Sequence, residues 1–502
     1  MRVLLVYANL KDDILAAPPI GLSYVACATQ AAGHTVNVLD LCFQKKWMSV
    51  LTSRIEEFRP EVIGISIRNI DNVNLLHPKS YLPEVKRIIE TIRNTTSIPL
   101  VIGGSGASMC PAEVLSELKA DFIIVSDGEQ SFVDLLDALA TGRTANDIPG
   151  LGQNINGIFS LIPPRLKEFK KGNAELGKWV DMKNYQNVGS SYVIQTKRGC
   201  PQKCIYCTYN QVLEGNRLRL RSPVDVVDEI EEAIKRYRAD CIEFVDSVFN
   251  FPLDHCTEIL EEILSRSLRV TFTAMGVSPK NLDDKLLSLM WRAGFTSFMI
   301  SPESASADMI RNYKKGFTVD DLVCAAEALS KTRFTALWFF LIGGPGENNS
   351  TLDQSLKFIL KYLNQPKPPP YSMANLFLGV RLYPGTELWK IALEEGVIHL
   401  KSNPLKQLWY VSKNLDLKLA FNQMTEAAKR CPGIILGFDE KHFSFSSKLA
   451  TWMGKIIRMP KPYWRHGLGY NRILLWTGLR FFSARKSLLF EIQGKLDRQI
   501  SG

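Results

Sequence analysis

At 502 residues the chain is long enough for two or three domains. Its 46% hydrophobic and 22% charged content is that of an ordinary globular protein and excludes a disordered or low-complexity chain. The net charge of +10 is uneven: residues 401–502 carry 18 Lys+Arg against 6 Asp+Glu, the rest 43 against 45, so the basic surplus belongs to the tail.

The N-terminus, MRVLLVYANLKDD, reads as a short apolar strand followed by charges, without the long apolar region of a signal peptide. No apolar run approaches the roughly 18 residues that a membrane-spanning helix needs. Residues 1–145 alternate strand and helix patterns. Strands are predicted at Val3–Tyr7, Val36–Leu39, Val62–Ser66, Leu100–Gly103 and Phe122–Ser126. They are short and apolar, as a parallel sheet covered on both faces requires. Five such units predict a doubly wound, flavodoxin-like sheet, whose ligands sit at the carboxyl ends of the strands. No G-x-G-x-x-G follows the first strand, which disfavours a dinucleotide. Gly103 and Gly104 either let backbone approach a ligand closely or simply make a tight turn.

Residues 146–190 are rich in Gly, Pro, Asn and Lys and are predicted to be a linker. Residues 191–400 carry six further strand–helix units, with strands at Tyr192–Thr196, Ile242–Val245, Val270–Ala274, Ser297–Ile300, Ala336–Ile342 and Ala374–Val380. They predict a partial, six-unit TIM-type barrel with its site at the strands' carboxyl ends. One helix should start at Ser222-Pro223, a capping serine with proline at the first helical position, with Val224, Val227 and Ile230 on its apolar stripe.

The loop after the first barrel strand reads TKRGCPQKCIYCTYN. Its Cys200-x3-Cys204-x2-Cys207 spacing can hold three irons of a [4Fe–4S] cube and leave the fourth open to a ligand. Zinc would call for CxxC pairs and a fourth ligand, and no Cys or His follows at suitable spacing. The other seven cysteines, Cys27, Cys42, Cys110, Cys241, Cys256, Cys324 and Cys431, read as reduced packing thiols. An oxygen-sensitive cluster and reduced thiols place the chain in the cytoplasm. Within the tail, the stretch from Thr451 interleaves Trp452, Trp464, Trp476, Phe481 and Phe482 with Lys455, Arg458, Lys461, Arg465, Arg472, Arg480 and Arg485. One reading is a helical cap that packs its aromatics on the barrel; others are peripheral contact with anionic lipid or an acidic substrate. No nucleic-acid-binding module accompanies the charge, and no nucleic-acid partner is expected.

The cysteine spacing, with Tyr206 before the third cysteine, resembles the radical SAM superfamily. The segments PPIGLSYVACATQAAGHTVNVLD, EVIGIS, VIGGSGAS and SDGEQSFVDLLDAL resemble the cobalamin-binding domains of radical SAM enzymes. Together they resemble a cobalamin-dependent radical SAM enzyme of the methyltransferase-containing class. The resemblance implies a [4Fe–4S] cluster on Cys200, Cys204 and Cys207. It implies S-adenosyl-L-methionine (SAM) near Tyr206, Asp246, Ser247, Glu303, Ser304, Gly343 and Gly344. It implies cobalamin near Pro19, Ser66, Arg68, Gly103, Gly104, Ser105, Gly128 and Glu129. The local alternatives are a helix cap for Asp246, a pair with Lys314 or Lys315 for Glu303, and a plain turn for GGPG.

The Asp-x-His-x-x-Gly signature of other cobalamin proteins is absent. His34 reads as structural and His77 as a weak axial candidate. The cobalt's lower face is then open, water-bound or covered by a loop residue such as Arg68. The implied reaction starts when the reduced cluster cleaves SAM to methionine and a 5′-deoxyadenosyl radical. Methyl transfer to an unactivated carbon of a small-molecule or lipid-like substrate follows, with flavodoxin or ferredoxin as electron donor. The rival readings are non-methylating oxidation, cyclisation or ring rearrangement on the same cofactors, and a cobalamin carrier or sensor with a degenerate barrel.

Overall fold

The computed structural model describes residues 1–10, 16–169, 172–364, 371–431, 433–437, 451–457, 459, 461–466 and 486–501. The first sheet has seven strands: β1 (Arg2–Tyr7), β2 (Thr35–Asp40), β3 (Val62–Ser66), β4 (Leu100–Gly103), β5 (Phe122–Ile124), β6 (Leu151–Ile155) and β7 (Ile158–Leu161), in the order 2-1-3-4-5-6-7. β1 to β5 are parallel, as predicted. Their runs are apolar on both faces because both are covered. Helices Trp47–Phe58 and Leu82–Thr95 bury Leu51, Ile55, Ile88 and Ile92 against one face. Helices Ile20–Ala31 and Glu129–Thr141 bury Leu22, Ala26, Leu135 and Leu136 against the other.

The predicted linker 146–190 is in part structured. β6 pairs antiparallel with β5, and β7 with β6. The hairpin turns at Asn156-Gly157, with φ of 52° and 80°. Asn-Gly is the dipeptide that supplies two consecutive positive φ angles at low cost, a signal hidden among the segment's other glycines and prolines.

The second sheet is the barrel: β8 (Tyr192–Ile194), β9 (Cys241–Phe244), β10 (Thr271–Val277), β11 (Phe295–Glu303), β12 (Thr335–Ile342), β13 (Tyr371–Leu378) and β14 (Ile434–Leu436), all parallel and in chain order. The six predicted strands are present. The seventh, β14, lies beyond residue 400, inside the basic tail. Its three residues, Ile-Ile-Leu, give too short a run to register as a strand. Helix Pro223–Tyr237 starts as expected, with the Ser222 side chain accepting from the Asp225 amide. Its buried stripe is Val226, Val227, Ile230 and Ala233, whereas Val224 is exposed.

The two sheets are locked together by buried polar contacts. Arg381, past β13, pairs with Asp71, past β3, at 2.9 Å, and the Tyr383 hydroxyl lies 3.3 Å from the same carboxylate. Ser190 donates to the Ala16 carbonyl at 2.6 Å. The Arg381–Asp71 contact brings the carboxyl ends of the two sheets face to face, while Ser190 ties the segment before β8 to the loop after β1.

Candidate functional site

A single cavity of about 920 Å³ opens between those two sets of strand ends and runs into the barrel lumen. It sits at the upper end of the roughly 300–1,000 Å³ usual for ligand sites. Cys200, Cys204 and Cys207 all line it, the first two buried and the third half-buried. Their loop leaves β8 through Lys197-Arg198, which pairs antiparallel with Arg219-Leu220. Gly199 turns the chain at φ +82°; a Cβ there would lie 2.1 Å from the Arg217 carbonyl, so only glycine fits. The Cys200 amide donates to Gly215, and Gln211 donates to the Cys204 carbonyl. Among the described residues, no three His, Cys, Asp or Glu side chains close on a single metal ion. A cube is gripped differently, each thiolate taking its own corner iron. Burial pushes the Cys200 thiol up to about 11.

Beside the cysteines lies a buried triad. Lys315 Nζ is 3.0 Å from Glu303 Oε1 and 3.1 Å from the Tyr206 hydroxyl, which itself donates to Glu303. The pair expected for Glu303 is therefore with Lys315, while Lys314 reaches Glu387. Glu303 holds φ +65° at the end of β11, a backbone strain that an ordinary strand end does not carry. Burial drives Tyr206 well above the ordinary phenol range, and Glu303 adds to it. Burial pulls Lys315 down, but Glu303 and the nearby cysteines outweigh it and hold the ammonium charged.

Asp246 lines the cavity yet is occupied: its carboxylate accepts from the amides of Thr196 and Lys197 and from the Thr196 hydroxyl. It fixes the start of the cysteine loop. Its neighbour Ser247 also lines the cavity, and its buried hydroxyl has no partner, as a ligand contact would leave it. Ser304, Gly343 and Gly344 are not on the cavity wall. Ser304 bonds Ser355 at 2.9 Å. The Gly343 and Gly344 amides donate to Glu347, and Gly344 abuts the Tyr313 ring so closely that no side chain fits. The GGPG segment thus spends its amides on its own glutamate.

On the other wall stand all eight residues expected near cobalamin. Pro19 precedes helix Ile20–Ala31, and Gly128 precedes helix Glu129–Thr141, which Glu129 opens. Ser66 ends β3, Arg68 follows it, and Gly103, Gly104 and Ser105 leave β4. Gly104 has φ +97°, and a Cβ on it would lie 2.6 Å from the Ile67 carbonyl. The turn and the close approach coincide at this residue. The Arg68 side chain projects toward the cavity, where its charge is felt by Tyr7, Tyr209 and Glu243. His77 is exposed and off the cavity wall. His34 bonds the N-terminal amine at 3.2 Å, a structural role as expected.

The tail supplies the far wall. Pro462 and Trp464 line the cavity, and Trp464 packs on Leu337, Met373 and Ile435. Lys461 pairs with Asp240 at 2.7 Å. These residues follow the cap reading, whereas Trp452 is exposed and does not. Trp476, Phe481, Phe482, Arg472, Arg480 and Arg485 lie outside the described residues. No described helix is long and apolar enough to cross a membrane. Of the other thiols, Cys324 is exposed rather than packed.

Sequence reasoning missed Glu243, a lumen carboxyl on β9, and Glu214, which lines the cavity and accepts from the Gly199 amide. Neither lies in a motif: strand register places Glu243, and the long-range contact with Gly199 places Glu214, just past the helical turn Tyr209–Leu213.

The radical SAM superfamily model matches residues 194–359, and the B12 binding domain model matches residues 14–136. An uncharacterized methyltransferase of Pyrococcus horikoshii is 26% identical over 411 residues, covering 79% of this chain and 84% of the relative. The tryptophan 2-C-methyltransferase of Streptomyces laurentii is 24% identical over 441 residues, covering 75% and 72%. The structure of the radical S-adenosylmethionine methyltransferase TsrM from Kitasatospora setae, with cobalamin and a [4Fe–4S] cluster bound, superposes with a TM-score of 0.80 at 21% identity. It covers 98% of this chain and 99% of that one. With both domains matched in order and their strand ends facing one cavity, the chain belongs to the cobalamin-dependent radical SAM enzymes, whose cofactors are a [4Fe–4S] cluster, SAM and cobalamin.

Proposed function

We propose that this enzyme transfers a methyl group to a carbon atom of a small molecule held in the barrel lumen. The observation that carries the reading is the continuity of one cavity past the glycine-rich ends of β3 and β4, the three cysteines and the lumen. When bound, cobalamin supplies the methyl carrier, and the cluster with SAM supplies the one-electron chemistry.

The chain's own part is to hold and to exclude. Cys200, Cys204 and Cys207 would grip three irons of the cube. Ser247 offers its unpartnered hydroxyl, and Tyr206, Glu303 and Lys315 a rigid polar cluster, to SAM. Asp246 acts one step back, pinning the Thr196–Lys197 amides that aim the loop. Pro19, Ser66, Arg68, Gly103, Gly104, Ser105 and Gly128 would form the cradle for cobalamin, with Glu129 held by Arg198. Trp464 closes the lumen against water, which protects reactive species from quenching. A flavodoxin- or ferredoxin-class donor and a cytoplasmic setting complete the reading.

The test is anaerobic assay of the reconstituted protein with methyl-deuterated SAM and candidate substrates. The expected result is labelled methyl on a product carbon, lost in the Cys200→Ala, Cys204→Ala, Cys207→Ala triple variant. Parent-rate turnover in that variant would sink the cluster assignment. A product altered without gain of label would replace methyl transfer by the oxidising or cyclising class.

A further inference from the structure

We infer that Glu243 selects the substrate, which presents a protonated or N–H-bearing nitrogen to it from an otherwise apolar, aromatic body. The inference rests on the reading of the lumen as the substrate site and names its substrate class.

Glu243 sits on β9 in register with Val193 on β8 and Thr273 on β10. It lines the cavity together with Val193. Its neighbours Ile242 and Phe244 point the other way, into the packing between sheet and helices, as strand alternation requires. The carboxyl therefore stands in the lumen. Much of the lumen wall is apolar and deformable, with Met275, Met299, Leu337, Phe339, Met373 and Trp464 beside the polar Ser301. Thioether and aromatic side chains of this kind favour a flat ring.

Among the described residues, no ion pair or hydrogen bond engages Glu243. Arg68 is the one charge whose field it feels, and burial outweighs that field, pushing the carboxyl up to about 7. The carboxyl is half-buried and faces the cavity without a protein partner, which leaves it free to take a donor from a ligand. An N–H or ammonium group meets the need and is charge-assisted. A substrate carboxylate would be repelled by Glu243 and drawn instead toward Arg68.

The test compares two probes that share a ring and differ in charge, tryptamine and indole-3-propionate. They are titrated onto the reconstituted holoenzyme and followed by saturation-transfer NMR. The expected result is tryptamine binding at least tenfold tighter than indole-3-propionate. Glu243→Gln should abolish the difference, and Glu243→Asp should keep it. Equal or reversed preference in the parent, a preference that survives in Glu243→Gln, or failure of both probes to bind would overturn the inference. The parent comparison needs no variant and stands even where Gln does not fold. Preferential binding of the amine without label transfer from SAM would support Glu243 and count against methyl transfer, so the two readings fail separately.

Discussion

Arg198, two residues before Cys200, reaches across the domain boundary to Glu129, with Nη2 2.6 Å from Oε1. Its other nitrogen lies 3.3 Å from Asp127, and its guanidinium stacks on Phe169 and Tyr24 at 4.2 and 4.8 Å. The residue that opens the cysteine loop thus also pins the strand end of the proposed cobalamin cradle. Loop and cradle are set by one side chain, which couples their positions.

Arg198→Ala leaves Glu129 without its partner, while Arg219 still serves Asp127. Removing one member of a buried pair costs about 3–5 kcal/mol. The expected outcome is a lower melting temperature together with loss of bound cobalamin on gel filtration. Arg198→Lys should not restore either, because an ammonium cannot fork to two carboxylates and stack on two rings. Parent-like melting and cobalamin content in Arg198→Ala would refute the coupling.

The alternation of apolar strands and helices was readable because both sheets are parallel and covered, so each strand is a clean apolar run. The cysteine loop was readable because its ligands are local in sequence. Residues whose meaning depends on long-range pairing were not. Lys315 gains its place from Glu303 across a turn and a short helix, and Arg198 from Glu129, 69 residues away. Gly343 and Gly344 misled because a glycine's freedom looks the same whether it serves a ligand or, as here, Glu347 and Tyr313.

The Glu303–Lys315 pair is almost fully buried. Lys315→Met should destabilise by about 3–5 kcal/mol because Glu303 is left charged and unpaired. The double variant Glu303→Gln, Lys315→Met should cost less than Lys315→Met alone, since no lone charge remains. Denaturant titration of the parent, the single variants Lys315→Met and Glu303→Gln, and the double variant measures this. A double variant as unstable as the sum of the singles would show that the two residues do not act as a pair. SAM affinity should fall in all three variants.

Gly104→Ala forces a side chain into φ +97° and against the Ile67 carbonyl. The backbone strain alone is worth about 1–3 kcal/mol, and the clash displaces the loops after β3 and β4 that form the proposed cobalamin cradle. Cobalamin retention should drop sharply while the cluster still reconstitutes on its separate loop. With His77 off the cavity wall and His34 tied to the N-terminus, nitrogen-labelled histidine should give no hyperfine coupling to Co(II). Observed coupling would require a rearranged loop after β3.

Glu347 is fully buried, and burial pushes its carboxyl up to about 7, against the pull of the Gly343 and Gly344 amides. A carboxyl raised in the folded state is protonated there more readily than in the unfolded chain. Its contribution to stability is therefore complete below pH ~4.5 and fades as pH rises to ~7. Glu347→Gln mimics the neutral form and removes that fade. The melting temperature of the parent relative to this variant should fall between pH 5 and 8. A parent–variant difference that stays flat across that window would mean that Glu347 is charged in the fold throughout.

Trp464 links the tail to the barrel. It is 8% exposed and packs on Leu337, Met373 and Ile435 from β12, β13 and β14. Trp464→Ala removes the largest group of that wall and opens the lumen to water. Truncation of a buried aromatic costs about 3–5 kcal/mol, so the melting temperature should fall. Water reaching the lumen should also uncouple turnover, with more 5′-deoxyadenosine formed per product. If the tail served only to bind anionic lipid, this substitution would instead weaken vesicle co-sedimentation and leave melting and coupling unchanged. Measuring all three on one variant separates a lumen wall from a membrane contact, and the packing of Trp464 favours the wall.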